Sequence, residues 1–143
     1  MAGGDDIEIL FGAAEIAARV DEIAQEIAAA EPRNLLVVVI LKGSFVFAAD
    51  LIRGLDRAGV DARVDFITLA SYGGATESSG RVTVVHDLSE PVAGSPVLLI
   101  DDILESGRTL AAARDLLRGR GAPQVRSCVL LDKRARRLAP IEA

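Results

Sequence analysis

The sequence predicts an α/β fold in which a mostly parallel, twisted sheet is flanked by helices on both faces. Apolar runs typical of strands alternate with segments of helical spacing, a pattern that favours parallel strands and right-handed crossovers. Hydrophobic residues make up 50% of the 143 residues and aromatic residues only 3%, so the core must consist of Val, Ile, Leu and Ala. This length suits one core, and we expect a single domain over residues 1–143.

The first half of the chain predicts a helix, a strand and a second helix. Apolar residues recur at helical spacing over Ala13–Ala29, and Pro32 follows as a stop signal. The run LLVVVIL, Leu35–Leu41, is continuous and rich in β-branched residues, as in a strand buried on both faces. Helical spacing returns over Phe45–Ala58, and Gly59 ends that helix.

The second half predicts four strands and one helix. Val60–Ala70 and Arg81–Val85 have strand patterns, and the polar segment SYGGATESSG between them, residues 71–80, predicts a flexible loop in an antiparallel hairpin. The runs PVLLI (96–100) and VRSCVLL (125–131) predict two more buried strands, separated by a helix over 110–118. The predicted order is α-β-α-β-β-β-α-β.

Charge and cysteine content exclude several classes of function. The net charge of −5 gives no positive field for coating nucleic acid or an anionic membrane, so neither partner is expected. The single cysteine, Cys128, has no partner for a disulfide, which fits a reducing compartment. No apolar run approaches the roughly 20 residues of a membrane span, and Met1–Asp6 lacks the basic start of a signal peptide. We therefore expect a cytoplasmic location.

Polar clusters follow three of the predicted strands at their carboxyl ends. They are LKGS (41–44), DDILESGRT (101–109) and DKR (132–134). Ligands of open parallel sheets bind outside the carboxyl ends of the strands. The three clusters therefore predict one ligand site at that edge.

The second cluster combines an anion-binding turn with two acids. Small residues that lead into a helix N-terminus offer free backbone N–H groups, Ser106 and Thr109 add hydroxyl donors, and Gly107 permits close approach. An ordinary helix-capping turn would explain Ser106 or Thr109 alone. Asp101 and Asp102 accept hydrogen bonds or bind cations. A sugar phosphate with vicinal hydroxyls, or a ligand that carries magnesium, would satisfy both the turn and the acids.

These residues resemble a known family. VLLIDDILESGRTL (97–110) resembles the phosphoribosyl-pyrophosphate (PRPP) signature of the type I phosphoribosyltransferases. Three further blocks resemble the hypoxanthine/guanine phosphoribosyltransferases in order and spacing, within a match that runs from about Ile7 to Pro140; they are ILKGSFVFAADLIRGL, ITLASYGGATESSGRV and VLLDKRARR. The resemblance implies a Rossmann-like sheet and purine salvage, in which the 5-phosphoribosyl group passes from PRPP to hypoxanthine or guanine. The products would be IMP or GMP and pyrophosphate.

The resemblance also implies residue roles. Asp101 and Asp102 would hold the ribose hydroxyls and, through them, the Mg²⁺ cofactor. The 5-phosphate would lie on the turn formed by Glu105, Ser106, Gly107, Arg108 and Thr109. The pyrophosphate loop would consist of Leu41, Lys42 and Gly43, and the mobile loop would start at Ser71 and Tyr72.

The resemblance places Glu105 as the general base and Lys133 against the exocyclic oxygen of the purine. An ammonium only donates, so Lys133 would favour a 6-oxopurine over adenine, whose amino group also donates. Most family members have Asp where this chain has Glu105, and one extra methylene moves the carboxylate by roughly 1.5 Å at most. The resemblance further implies a homodimer or homotetramer.

A second departure concerns the purine side of the site. The family continues beyond the equivalent of Ala143 with a segment that supplies an aromatic stacked on the purine and a further acid near magnesium. The sequence has no Trp, and its phenylalanines, Phe11, Phe45, Phe47 and Phe66, all lie in core-like patterns. No stacking residue can be nominated, so either the sequence is truncated or purine binding is weakened. PRPP binding is expected to survive better than purine binding.

Two other functions are compatible with parts of the pattern. A PRPP-sensing, RNA-binding regulator shares the fold, but it needs a broad basic face and this chain is acidic. A phosphoacceptor receiver domain also has paired acids and a later lysine. In receivers, however, the acids end the first strand, whereas Asp101 and Asp102 lie late in the chain.

Overall fold

The computed structural model describes residues 12–41, 43–72, 81–104 and 107–132. These residues form three helices and one five-stranded sheet in the order β3-β2-β1-β4-β5. The element order agrees with the predicted one. The elements are α1 (Ala13–Ala29), β1 (Leu35–Leu41), α2 (Phe45–Arg57), β2 (Ala62–Tyr72), β3 (Arg81–His86), β4 (Val97–Leu104), α3 (Arg108–Gly119) and β5 (Val125–Asp132).

The sheet is parallel except at one edge. β1 lies between β2 and β4 and is parallel to both, and β4 is parallel to β5. β3 is antiparallel to β2 and completes the predicted hairpin. The mostly parallel sheet predicted from the alternation of strands and helices is therefore confirmed.

The helices cover the two faces of the sheet unequally. Val20 and Ala24 of α1 pack with Leu51 of α2 against one face, which we call the α2 face. Leu110 and Leu117 of α3 pack against the other, the α3 face. β1 contributes alternate residues to both cores and is buried throughout Leu35–Ile40, because helices lie above and below it.

Two predicted strand boundaries are wrong. β2 begins at Ala62 and continues through Ser71 and Tyr72, which pair with Val82 and Arg81 instead of starting the loop. β4 does not end at Ile100 but continues to Leu104. In both cases hydrogen bonds to a neighbouring strand extend the element past the apolar run that predicted it, because a ladder pairs backbone groups whatever their side chains.

The prediction that the phenylalanines belong to the core is only partly right. Phe47 is buried, whereas Phe45 is 61% exposed and Phe66 is 47% exposed. Phe11 lies outside the described residues. Cys128 is buried as expected, and burial raises the pKa of its thiol to about 11. In the part of the chain that the structure describes, no helix is long and apolar enough to cross a membrane.

Candidate functional site

The sheet parts between β1 and β4 at its carboxyl edge. The pairing of these strands ends at Val39 and Ile100, although β1 continues to Leu41 and β4 to Leu104. The helix that follows β1 packs on the α2 face, and the helix that follows β4 packs on the α3 face. This arrangement is a topological switch point, where open α/β sheets bind ligands in the crevice between the diverging strands.

Asp101 and Asp102 line this crevice from β4. Ile100 packs on the α2 face, so strand alternation places Asp101 on the α3 side and Asp102 on the α2 side. Both side chains are half-buried, and the backbone N–H of Asp102 donates to Oδ1 of Asp101 at 2.8 Å. The two side chains therefore leave the strand on opposite sides, but their carboxyl groups are close enough to hydrogen-bond to each other.

The environment of Asp101 favours its neutral form. Burial raises the pKa of Asp101 to about 7, and the hydrogen bond and charge of the Asp102 carboxylate act in the same direction. The hydrogen bond from the Asp102 N–H opposes the shift. Near neutral pH, these two carboxyl groups therefore favour the binding of a ligand that brings hydroxyl donors or positive charge to them.

The loop after β1 touches Asp102 directly. A Cβ at Gly43 would lie 2.7 Å from Oδ2 of Asp102, a distance that real Cβ contacts do not show. Glycine therefore permits this close approach, and a larger residue would require the end of the Asp102 side chain to move. Leu41, the preceding described residue, is the last residue of β1.

The start of α3 forms the other side of the crevice. Gly107 is buried, has a φ of +85° and precedes the first helical residue, Arg108. No side chain on Gly107 can accept from the N–H groups of the first turn, and that turn carries no acidic residue. Thr109 lies half-buried in the same turn. A helix N-terminus that begins at a glycine is a suitable position for an anion.

The structure brings most of the described candidate residues to the carboxyl edge of the sheet. Those around the crevice are Leu41, Gly43, Asp101, Asp102, Gly107, Arg108 and Thr109. Ser71 and Tyr72 lie at the carboxyl end of β2, which is the neighbour of β1. The candidates Lys42, Glu105, Ser106 and Lys133 lie outside the described residues.

One residue of the crevice was not singled out from the sequence. Ser44 is 0% exposed, and its hydroxyl donates to the backbone carbonyl of Ile40. A serine before a helix is the usual sign of an N-cap, so the sequence alone gives it an ordinary role. Its place in the LKGS cluster is the sequence feature that could have pointed to Ser44.

The described residues fit a metal that arrives with its ligand. Across residues 12–41, 43–72, 81–104 and 107–132, no group of three or more His, Cys, Asp or Glu could hold a metal ion. Asp101 and Asp102 supply carboxylates without closing a cage. Mg²⁺ commonly keeps several waters and binds through one or two carboxylates together with substrate phosphates, and this pair suits such a partial site.

Comparison with known proteins identifies the family. The family model for the phosphoribosyl transferase domain matches residues 7–142 of this sequence. Hypoxanthine-guanine phosphoribosyltransferase of Aquifex aeolicus is 38% identical over 98% of this chain and 78% of its own length. Hypoxanthine phosphoribosyltransferase of Escherichia coli is 37% identical over 92% of this chain and 74% of its own length. The solved hypoxanthine phosphoribosyltransferase of Staphylococcus aureus superposes with a TM-score of 0.90 at 37% identity, over 98% of this chain and 75% of that one.

The chain thus belongs to the phosphoribosyltransferase family. Within that family its relatives are enzymes of the hypoxanthine-guanine branch. The chain also aligns, at 41% identity, with 21% of the bifunctional protein TilS/HprT of Listeria innocua, so the same domain occurs there within a longer protein.

Proposed function

We propose that this chain is a phosphoribosyltransferase of purine salvage, which transfers the 5-phosphoribosyl group of PRPP to hypoxanthine or guanine. IMP or GMP and pyrophosphate are the products. The observation that carries the proposal is the crevice between β1 and β4, where paired acids lie on β4 and the helix that follows begins after a buried glycine. Family membership and the hypoxanthine-guanine relatives support the same activity.

The two sides of the crevice suit opposite ends of one activated pentose. Backbone N–H groups of the turn that includes Gly107 and Thr109 receive the 5-phosphate, aided by the helix dipole. Asp101 and Asp102 accept from the ribose hydroxyls, which brings donors to a buried pair that otherwise resists full ionisation. The loop of Leu41, Lys42 and Gly43 takes the pyrophosphate, since Gly43 lies against Asp102.

The remaining roles follow the match to the family. Glu105 accepts the proton that the purine loses as it attacks C1 of the ribose. Lys133 donates to the 6-oxo group of the purine. Asp101 and Asp102 would hold Mg²⁺ indirectly, through the PRPP hydroxyls, and the ion would supply positive charge that makes pyrophosphate a better leaving group. Ser71 and Tyr72 lead from β2 into a loop that excludes water during transfer.

The decisive experiment measures nucleotide formation from PRPP with hypoxanthine, guanine and xanthine separately, and PRPP binding by calorimetry. We expect turnover with at least one 6-oxopurine, and a Glu105→Ala variant that loses about 10²–10⁴-fold in turnover while it keeps most of its PRPP affinity. Unchanged turnover in this variant removes Glu105 from the role of base. PRPP binding without turnover, joined by salt-dependent RNA binding, would favour the regulator.

We also infer self-association and a cytoplasmic location. Phe45 and Phe66 are exposed large hydrophobic residues, and Ala62 and Val64 of the same strand as Phe66 pack on the α2 face. An apolar surface of this kind suits a homodimer or homotetramer. The buried thiol of Cys128 fits a reducing compartment, which cell fractionation can test.

A further inference from the structure

The regular hydrogen bonding between β1 and β4 ends at the ligand crevice, and the next backbone hydrogen bond that the register allows is not formed. The N–H of Leu36 donates to the carbonyl of Pro96 at 2.9 Å, so the peptide groups of Leu36, Val38 and Ile40 face β4. The N–H of Val97 donates to Gln124 at 2.8 Å, so odd-numbered residues of β4 face β5 and Asp102 faces β1. In the observed register, the next rung would join the Asp102 N–H to the Ile40 carbonyl.

Both groups of the missing rung are bonded to side chains instead. The Asp102 N–H donates to Oδ1 of Asp101. The Ile40 carbonyl accepts from the hydroxyl of Ser44. A buried peptide group without a partner is costly, and here two side chains replace the partner that each backbone group would find in a continued ladder.

The Ser44 hydroxyl is not used as a helix cap. Ser44 occupies the N-cap position of α2, yet its side chain makes no capping hydrogen bond to that helix. A serine at this position ordinarily accepts from an N–H of the first turn. Its hydroxyl is directed back to β1, and its complete burial keeps water from taking its place.

The loop that follows β1 lies close to one of the two acids. Gly43 immediately precedes Ser44, and a Cβ there would meet Oδ2 of Asp102 at 2.7 Å. A small movement of this loop or of Asp102 would change their contact. A rung between Ile40 and Asp102 would draw the two strands together at the point where the ligand enters.

We propose that Ser44 is a positioning residue of the phosphoribosyl site: by occupying the Ile40 carbonyl it keeps β1 and β4 apart and holds Gly43 against Asp102. Ser44 touches no substrate in this role. The inference rests on the proposed function for its effect on PRPP, but its structural part concerns the ladder alone.

The test compares Ser44→Ala with Ser95→Ala. Ser95 is a suitable control because it is also buried, at 2% exposure, and hydrogen-bonded, but its partners Asn34 and Arg63 lie at the opposite edge of the sheet. We expect Ser44→Ala to weaken PRPP binding about tenfold, the scale of one lost buried hydrogen bond. The KM for the purine should change less than about twofold. Ser95→Ala should lower the unfolding temperature and leave both constants unchanged, and Ser44→Thr, which keeps the hydroxyl, should restore PRPP affinity.

A crystal structure of Ser44→Ala tests the ladder separately. We expect the Asp102 N–H to turn from Asp101 to the Ile40 carbonyl, at an N–O distance of about 2.9 Å. PRPP affinity equal to that of the wild type, with the strands still parted, overturns the inference and leaves Ser44 a packing residue. If Ser44→Ala does not fold, Ser44→Cys retains the shape with a weaker donor and should show a smaller loss of PRPP affinity; no loss overturns the inference.

The two proposals fail in different ways. A wild-type protein that binds no PRPP contradicts the proposed function, whatever Ser44 does. A wild-type protein that binds PRPP, with a Ser44→Ala variant that binds equally well, contradicts the positioning role alone.

Discussion

Burial of the Asp101 carboxyl is expected to favour a ligand but to lower the free energy of unfolding near neutral pH. Its pKa is 3.8 in the reference state and about 7 in the fold, so between these values the folded protein binds more protons than the unfolded chain. The unfolding free energy therefore falls as pH rises through this window, because ionising the buried carboxyl destabilises the fold. We predict that Asp101→Asn is more stable than the wild type at pH 8 and that the difference disappears near pH 4.

Urea unfolding at steps of pH, without ligand, checks this prediction. The wild-type and Asp101→Asn curves should diverge as pH rises from about 4 to about 7 and run parallel above that range. Asp115→Asn, an exposed acid on α3, provides the control and should follow the wild type. A constant difference between Asp101→Asn and wild type across the whole range would contradict the raised pKa.

A substitution at Gly43 should affect ligand binding more than it affects the stability of the fold. In Gly43→Ala the new methyl meets the tip of the Asp102 side chain, which can rotate away at little cost in stability. The rotated carboxylate no longer faces the crevice as before. We predict an unfolding temperature close to that of the wild type and PRPP binding weakened about tenfold, as expected for one misplaced charged hydrogen bond.

Gly119→Ala is the matched control for this substitution. A Cβ at Gly119 meets nothing within 4 Å. Because Gly119 is the last residue of α3, alanine should stabilise the helix by up to about 1 kcal/mol without affecting PRPP. A large fall in stability of Gly43→Ala with unchanged PRPP affinity would show that the contact serves packing only.

At the scale of elements, the sequence predicted interiors better than ends. The continuous run Leu35–Leu41 located β1 to the residue, because burial on both faces leaves no polar position to confuse the pattern. The sequence pattern ends β4 at Ile100, because Asp101 and Asp102 do not belong to an apolar run, whereas β5 pairs with the strand as far as Leu104. Pairing depends on a neighbour distant in sequence, which a local pattern does not contain.

The site was predicted in the same uneven way. Residue types and spacing alone point to Asp101, Asp102 and Gly107, and the structure places all three at the carboxyl edge of the sheet. Their roles toward a ligand stay predictions. The place of Ser44 in the LKGS cluster is only a weak signal, because the sequence does not show that its hydroxyl donates to the Ile40 carbonyl near the end of β1. The contact between Gly43 and Asp102 also required the sheet order, in which two strands distant in sequence become neighbours.

The connection between β3 and β4 is tied to the sheet by one buried carboxylate. Asp65 of β2 is 7% exposed and accepts from the N–H groups of Ser89 and Glu90 at 2.7 and 2.6 Å. Removing the acceptor leaves these donors without it, so we predict that Asp65→Ala lowers the unfolding free energy by about 2–3 kcal/mol. Urea unfolding at neutral pH measures the change.

Asp87→Ala tests whether burial decides this effect. Asp87 forms a bidentate ion pair with Arg120 at 2.7 Å, but the carboxyl is 50% exposed. Exposed pairs contribute about 1 kcal/mol or less. Equal losses in Asp65→Ala and Asp87→Ala would mean that the backbone hydrogen bonds to Asp65 contribute little.

For the whole molecule, the important feature is the part of the α2 face that no described helix covers. α2 packs closely against α1 at Gly54, where an added Cβ would lie 3.1 Å from the Cβ of Ala24. The opposite flank of α2 borders a groove of about 280 Å³ lined by Ile52, Val60 and Val64. Phe66, two residues along β2 from Val64, continues this apolar surface.

The area of this surface is consistent with the centre of an interface between two copies of the chain. Phe45 and Phe66 are 61% and 47% exposed. An aromatic side chain presents about 150–250 Å², so together they leave on the order of 200 Å² of aromatic surface in water. A standard interface buries about 800 Å² per partner around such a centre. A twofold interface would cover it on both copies at once.

The final prediction is therefore made for the assembly. We expect sedimentation to give a multiple of 15.0 kDa for the wild type, and Phe66→Glu to shift the protein towards the monomer, with a dissociation constant raised at least about thirtyfold, as for an aromatic at the centre of an interface. Arg126→Glu places the same residue at an exposed position of β5, at the other edge of the sheet, and should leave the assembly unchanged. Since Phe66 lies outside the β1–β4 crevice, PRPP affinity per chain should be retained in Phe66→Glu. A monomeric wild type at micromolar concentration, or equal dissociation in both variants, would show that this surface does not hold the copies together.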